Sequence, residues 1–171
     1  MGTEQAVLDT VVYGKKSNYL IRPVSADEMV QMTDLGKEFY EAATSAPGNF
    51  DAERTTSFLS ECVRTQQGVV IAAWLDGHIV GGVVGFLVQD LFSDTLALNE
   101  LAWYVRPEHR SHGLGEEILE AFEQWGRERC ANVIRMAHLS ESMAKSLRRY
   151  YKNSGYKQSE TLFVKDLIYD D

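Results

Sequence analysis

Cysteine, proline and positive charge are all scarce in this chain of 171 residues. The two cysteines, Cys62 and Cys130, fall in segments read as helical. They form no spaced disulfide framework, as expected of a reducing, cytoplasmic setting. With three prolines and no Pro/Gly-rich linker, nothing divides the sequence. A single domain over 1–171 is expected, with residues 1–18 as a loose leader carrying a short strand at Ala6–Tyr13. Lys and Arg number 17 against 25 Asp and Glu, a net charge of -8. That balance excludes general nucleic-acid binding, which needs a basic face, and favours small cationic or neutral partners. The longest apolar run, Ile79–Val88, is about half of the ~20 residues a membrane-spanning helix needs. No apolar signal-peptide core opens the chain, so no membrane partner is expected.

What is present reads as alternating helix and strand. Tyr19–Val24 is a first strand. Ser25 or Asp27 caps a helix with apolar residues at Met29, Met32, Leu35 and Phe39, and Pro47-Gly48 breaks it. Asp51 caps a second helix through Phe58, Leu59 and Val63, ending near Gly68. The period then becomes that of strands: Val69–Leu75, a tight Asp76-Gly77 hairpin turn, His78–Val88, and Thr95–Val105, stopped by Pro107. Leu114–Arg129 is an amphipathic helix with Ile118, Leu119, Phe122 and Trp125 on one face. Asn132–Leu139 is a strand, and Ser140 caps a helix over Glu141–Asn153 that ends at Gly155. Tyr156–Lys157 and Thr161–Tyr169 are closing strands. This order predicts an α/β (α+β) fold, one mixed central sheet flanked by about four helices.

The chemistry is concentrated in Leu98–Gly115, LNELAWYVRPEHRSHGLG. A strand ends at a proline, a short loop follows, and Gly113-Leu114-Gly115 opens a helix. Unpaired N–H groups in the first helical turn, backed by the helix dipole, make an anion site suited to a phosphate or pyrophosphate. Alternatively, the glycines serve tight helix–strand packing. Neither a dinucleotide fingerprint nor a Walker loop fits, because no third glycine and no Gly-Lys-Ser/Thr follows. His109 and His112 sit three apart in this loop without an HExxH helix or a nearby cysteine, so no metal site is expected.

Arg110, Ser111, His112, Gly113, Leu114 and Gly115 spell R-x-x-G-x-G. With Val105-Arg106-Pro107-Glu108 upstream, Glu120-Ala121-Phe122 to Trp125 after it, and YKNSGY at Tyr151–Tyr156, this resembles the GNAT superfamily of N-acetyltransferases. Members encoded by bacteriophages look similar. The resemblance covers nearly the whole chain and implies a GNAT-like acyl-CoA N-acyltransferase fold with acetyl-CoA as cosubstrate. It implies that backbone N–H groups of Ser111, His112, Gly113, Leu114, Gly115 and Glu116, with Arg110, hold the pyrophosphate. It also implies that the pantetheine arm runs along Trp103, Tyr104 and Val105, where the strand ending at Pro107 splays from Asn132–Leu139. Ser111 replaces a frequent glycine of the motif, tolerable if its φ is negative. Ala144 stands where an asparagine is frequent.

Acetyl transfer requires a neutral amine and a proton for the departing thiolate. By the resemblance Tyr151 stands at the position of the general acid, with neighbouring Tyr150 as packing. Glu100 is the candidate base: a period of 2 puts Glu100, Ala102 and Tyr104 on one face of an otherwise apolar strand, facing a cleft or a partner. A salt-bridged or rim carboxylate is the plainer reading. His138 is read as structural, at the end of its strand. The expected activity is acetyl transfer from acetyl-CoA to a small-molecule or protein amine by direct attack in a ternary complex. The acceptor pocket is expected between the first two helices and the loop around Ala46–Phe50, the oligomer a monomer or homodimer. The alternative is a catalytically silent acyl-CoA-binding or interaction module on the same fold.

Overall fold

The computed structural model describes residues 12, 18–43, 48–138, 144–161, 163 and 165. Its elements are β1 (Leu20–Pro23), α1 (Met29–Ala42), α2 (Ala52–Arg64), β2 (Gly68–Leu75), β3 (His78–Gln89), β4 (Leu96–Val105), α3 (Leu114–Glu128), β5 (Val133–Arg135) and α4 (Ala144–Asn153). Short 3-10 segments at Ala26–Glu28 and Pro107–His112 precede α1 and α3. The described residues form two compact units, divided between Ala137 and His138.

The first unit holds one five-stranded sheet in the order β1-β2-β3-β4-β5. The first four strands form an antiparallel meander, and β5 joins β4 in parallel, giving the expected mixed sheet. The meander follows from local chemistry. Asp76 (φ 49) and Gly77 (φ 81) both take left-handed conformations, the geometry a two-residue hairpin requires to match strand twist. Asp51 accepts a 2.9 Å hydrogen bond from Arg54 N–H, satisfying one orphan donor of α2. Ser25 and Glu28 form a reciprocal capping box before α1, and Glu28 is held further by a bidentate pair with Arg22 at 2.6 and 2.7 Å.

The two faces of the sheet are covered by different helices. Met32 of α1 meets β3 at Gly82, whereas Ile118 and Phe122 of α3 meet it at Gly81 and Gly85. Met29, Met32, Leu35 and Leu59 pack with Val70, Ala72, Trp74 and Val84 on the first face. The apolar stripe of α3 is fully buried at Leu114, Ile118 and Phe122.

Several expectations are corrected. The sheet strand read over Asn132–Leu139 is three residues long, Val133–Arg135. Tyr156, Lys157, Thr161, Phe163 and Lys165 are in no strand; an isolated strand without a ladder partner leaves its backbone groups unpaired. The rest of Thr161–Tyr169, and the leader strand at Ala6–Tyr13 apart from coil residue Val12, lie outside the described residues. So do Pro47, Ser140 and Glu141, and the last helix is described from Ala144. Cys130 is not helical: it follows α3 with a left-handed φ of 60. Phe58 is 51% exposed, leaving Leu59 as the buried anchor of α2.

Candidate active site

The loop expected after β4 is instead a 3-10 turn, opened by Pro107 and closed by Gly113 in the left-handed region (φ 77). Arg110 secures it by donating Nε–H to the Val105 carbonyl at 2.7 Å and lies over the Tyr104 ring, 5.2 Å from its centroid. Tyr19 OH and His109 Nδ1 meet at 2.9 Å, so His109 is a structural histidine. Ser111 lies inside the 3-10 segment Pro107–His112, where φ is negative, so a serine in place of the motif's glycine meets no left-handed strain there. The bond from Glu117 N–H to Gly113 O (3.1 Å) begins the α-helical ladder. The N–H groups of Leu114, Gly115 and Glu116 precede it, at the positive end of the helix dipole.

The two glycines have different jobs. A Cβ on Gly113 would meet nothing within 4 Å, and its positive φ is what turns the chain into α3. A Cβ on Gly115 would stand 3.2 Å from Trp103 Cζ2, so Gly115 seats α3 against β4. The helix–strand packing weighed in the sequence is thus the role of Gly115, two residues beyond the turn at Gly113.

The assignment of faces along β4 is overturned. The β3–β4 register passes from Gly85↔Glu100 to Val84↔Ala102, leaving Leu101 unmatched in a β-bulge. The extra residue breaks the period of 2: Leu101, Ala102 and Tyr104 line a cavity on the α1/α2 side, and Glu100 no longer shares their face. Its carboxylate accepts a 3.0 Å hydrogen bond from Ala137 N–H. Burial outweighs that bond and pushes the carboxyl up to about 7. This bond also explains the shortness of β5. Pairing runs only over Ala97↔Val133, Leu98↔Ile134 and Asn99↔Arg135, after which the Glu100 side chain takes the backbone donor that a longer strand would give to β4. Glu100–Val105 therefore extends past the last β5 pair.

The cavity encloses about 410 Å³ between α1, α2, the Asn49–Asp51 segment and β4. It coincides with the expected acceptor pocket, of which Ala46 lies outside the described residues. Phe39, Tyr40, Phe50, Phe58 and Tyr104 supply its aromatic lining. Sequence reasoning missed two anchors here. Arg106, at the end of β4, forms a bidentate pair with Glu38 of α1 at 2.8–3.2 Å, and Tyr40 OH donates to the Gly48 carbonyl at 2.8 Å. The first joins residues 68 positions apart and the second spans the segment after α1, and neither has a local pattern to announce it.

In the second unit Tyr151 lies on α4, its ring 5.5 Å from that of Tyr156 and 6.5 Å from that of His138. His138 Nε2 accepts from Arg148 Nε–H at 3.4 Å, in keeping with its structural reading. Cys62 is partly buried, and burial together with Glu61 raises its thiol pKa, the opposite of an activated nucleophile. Among the described residues no cluster of His, Cys, Asp and Glu could hold a metal ion, and no helix is long and apolar enough to cross a membrane.

Comparison with known proteins agrees with this architecture. The family profile described as the Acetyltransferase (GNAT) family matches residues 31–156. The aminoglycoside N(6')-acetyltransferase type 1 of Klebsiella aerogenes is 27% identical over 134 residues, 76% of this chain and 86% of that protein. An acetyltransferase of Clostridium acetobutylicum solved with acetyl-CoA superposes with a TM-score of 0.74 at 13% identity, covering 87% of this chain and 96% of the other. The structure of AAC(6')-Iy in complex with a CoA bisubstrate analog gives 0.73 at 16% identity, with 88% and 98% covered. At such identities the structural likeness establishes the fold, and the profile match, spanning most of the sequence, establishes the relationship. The chain belongs to the GNAT family of acetyltransferases and is an acetyl-CoA-dependent N-acetyltransferase.

Proposed function

We infer that the protein acetylates a primary amine of a small molecule by direct attack on acetyl-CoA, with Glu100 as base and Tyr151 as acid. The carrying observation is that β4 runs on past its last β5 pair at Asn99 into the turn that delivers the N-terminus of α3. That arrangement suits a ligand with an amide-bearing arm and an anionic end. The arm would lie along Trp103, Tyr104 and Val105. The pyrophosphate would sit at the N–H groups of Ser111–Glu116 beside Arg110. The family profile runs across both compact units, which supports reading the whole chain as one acetyltransferase domain.

Bound there, acetyl-CoA supplies a thioester whose carbonyl carbon is open to a neutral amine, with C–N formation and C–S cleavage. Glu100 lies off the face that lines the cavity, so with a carboxyl near 7 it would take up the amine's proton at neutral pH through water rather than directly. Tyr151 donates its phenolic proton to the leaving thiolate. The raised thiol of Cys62 and the exposed position of Cys130 beyond α3 support direct attack over a covalent acyl-cysteine. The relatives named for aminoglycosides support a small-molecule acceptor.

Thermal unfolding with excess acetyl-CoA tests the donor site. Ligand at ~100 times its Kd stabilises by about 2.7 kcal/mol, a shift of several degrees. Tyr151→Phe should keep that shift while lowering kcat by about 100-fold or more. The absence of a shift would refute the donor site, and full activity in Tyr151→Phe would refute the acid.

A further inference from the structure

The acceptor cavity carries information about its occupant that neither the charge of the chain nor its relatives supply. The chain has a net charge of -8, yet the described residues place one carboxylate in the cavity lining, that of Asp51. That carboxylate caps α2 through Arg54 N–H. The other charge in the lining is a cation, Arg54, on an exposed stretch of the same helix. The hydroxyl of the next residue, Thr55, donates to the Asp51 backbone carbonyl at 2.7 Å. Apart from these, Asn49 and the tyrosines Tyr40 and Tyr104, the lining is apolar. Phe58 and Leu101 are 51% and 43% exposed, large hydrophobic side chains that meet across one cavity, the mark of a surface that a ligand covers.

From this we propose that the acceptor is a monoamine carried on an aromatic or branched aliphatic body, and that the cavity selects against polycationic amines. This rests on the transferase reading above. A sugar amine with several ammonium groups would bring charges into a lining with one engaged carboxylate and a repelling guanidinium, leaving each buried charge unpaired. A single amine on an apolar body buries that body against the aromatic rings. Its nitrogen reaches Leu101, Ala102 and Tyr104, which adjoin or belong to the Trp103–Val105 stretch of β4 proposed to carry the acetyl donor. The apolar surroundings also disfavour the ammonium form, so the cavity promotes the neutral nucleophile that attack requires.

The test is a competition assay on the wild-type protein, reading thiol release from acetyl-CoA with phenethylamine and isoamylamine against spermidine and kanamycin. Amine binding is read separately by thermal shift without acetyl-CoA. The expected result is a kcat/KM for the apolar monoamines about 10-fold or more above that for the polyamines, in the range one pocket contact supplies. A shift with phenethylamine alone is expected as well. Equal or greater activity with kanamycin or spermidine, or no phenethylamine shift, overturns the proposal. A protein that binds phenethylamine but gains no stability from acetyl-CoA would instead refute the donor reading and leave the cavity assignment standing. A second variant probes the cavity directly. At Gly36 on α1 an added Cβ meets only Thr55 Cγ2 at 3.9 Å, so Gly36→Asp adds a carboxylate to the lining without a clash at Cβ. It should lower kcat/KM for phenethylamine about 10-fold while the acetyl-CoA shift is retained; unchanged phenethylamine activity would overturn the proposal.

Discussion

Replacing Glu100 by glutamine removes a charge while leaving an oxygen to accept the Ala137 N–H, so the substitution isolates the electrostatics of the site. In the folded protein burial raises this carboxyl from 4.5 to about 7. Because the folded value lies above the unfolded one, ionisation costs the fold. Wild-type stability is therefore penalised progressively as pH rises from 4.5 to about 7 and is penalised fully above that. At 1.4 kcal/mol per pH unit the gap corresponds to about 3 kcal/mol. Glu100→Gln carries no such penalty, so it should match wild type near pH 4.5 and exceed its stability by up to about 3 kcal/mol at pH 8. Urea unfolding of both proteins at a series of pH values reads this difference directly, and other titrating groups cancel in the comparison. A difference that stays constant with pH would refute the burial argument. The same pair of proteins bears on catalysis: the alkaline rise of kcat/KM with a midpoint near 7 should be present in wild type and lost in the variant.

Two further substitutions follow from the packing. Glu28→Gln breaks the bidentate pair with Arg22 and should cost about 2 kcal/mol at neutral pH. Arg22 holds the Glu28 carboxyl down to about 2, so this stabilisation is complete above 4.5 and should fade as pH falls toward 2, measured by unfolding across that interval. Gly85→Ala would set a Cβ 2.5 Å from Phe122 Cζ and 2.7 Å from the Asn99 carbonyl. It should cost about 1–3 kcal/mol in thermal unfolding, and a neutral outcome would mean that α3 rides further from the sheet than these distances allow.

Neighbouring residues alone determined much of this protein. The Asp76-Gly77 hairpin, the Asp51 cap and the apolar stripes of α1 and α3 could be read because each depends on interactions within a few positions. The R-x-x-G-x-G segment was legible as a family resemblance for the same reason: a tight turn and a helix start are local events. Tertiary structure decided the rest. Whether β4 keeps its alternation is settled by its register against β3, and the bulge at Leu101 separates Glu100 from Ala102 and Tyr104. How far β5 extends is settled by a side chain 37 positions away capturing Ala137 N–H. The role of Gly115 depends on Trp103 arriving beneath it. The character of the acceptor cavity depends on which residues of two helices and two strands converge. Sequence encodes turns, caps and periodicity through short-range energetics, whereas desolvation, register and cavity lining exist only once distant segments have removed water from between them.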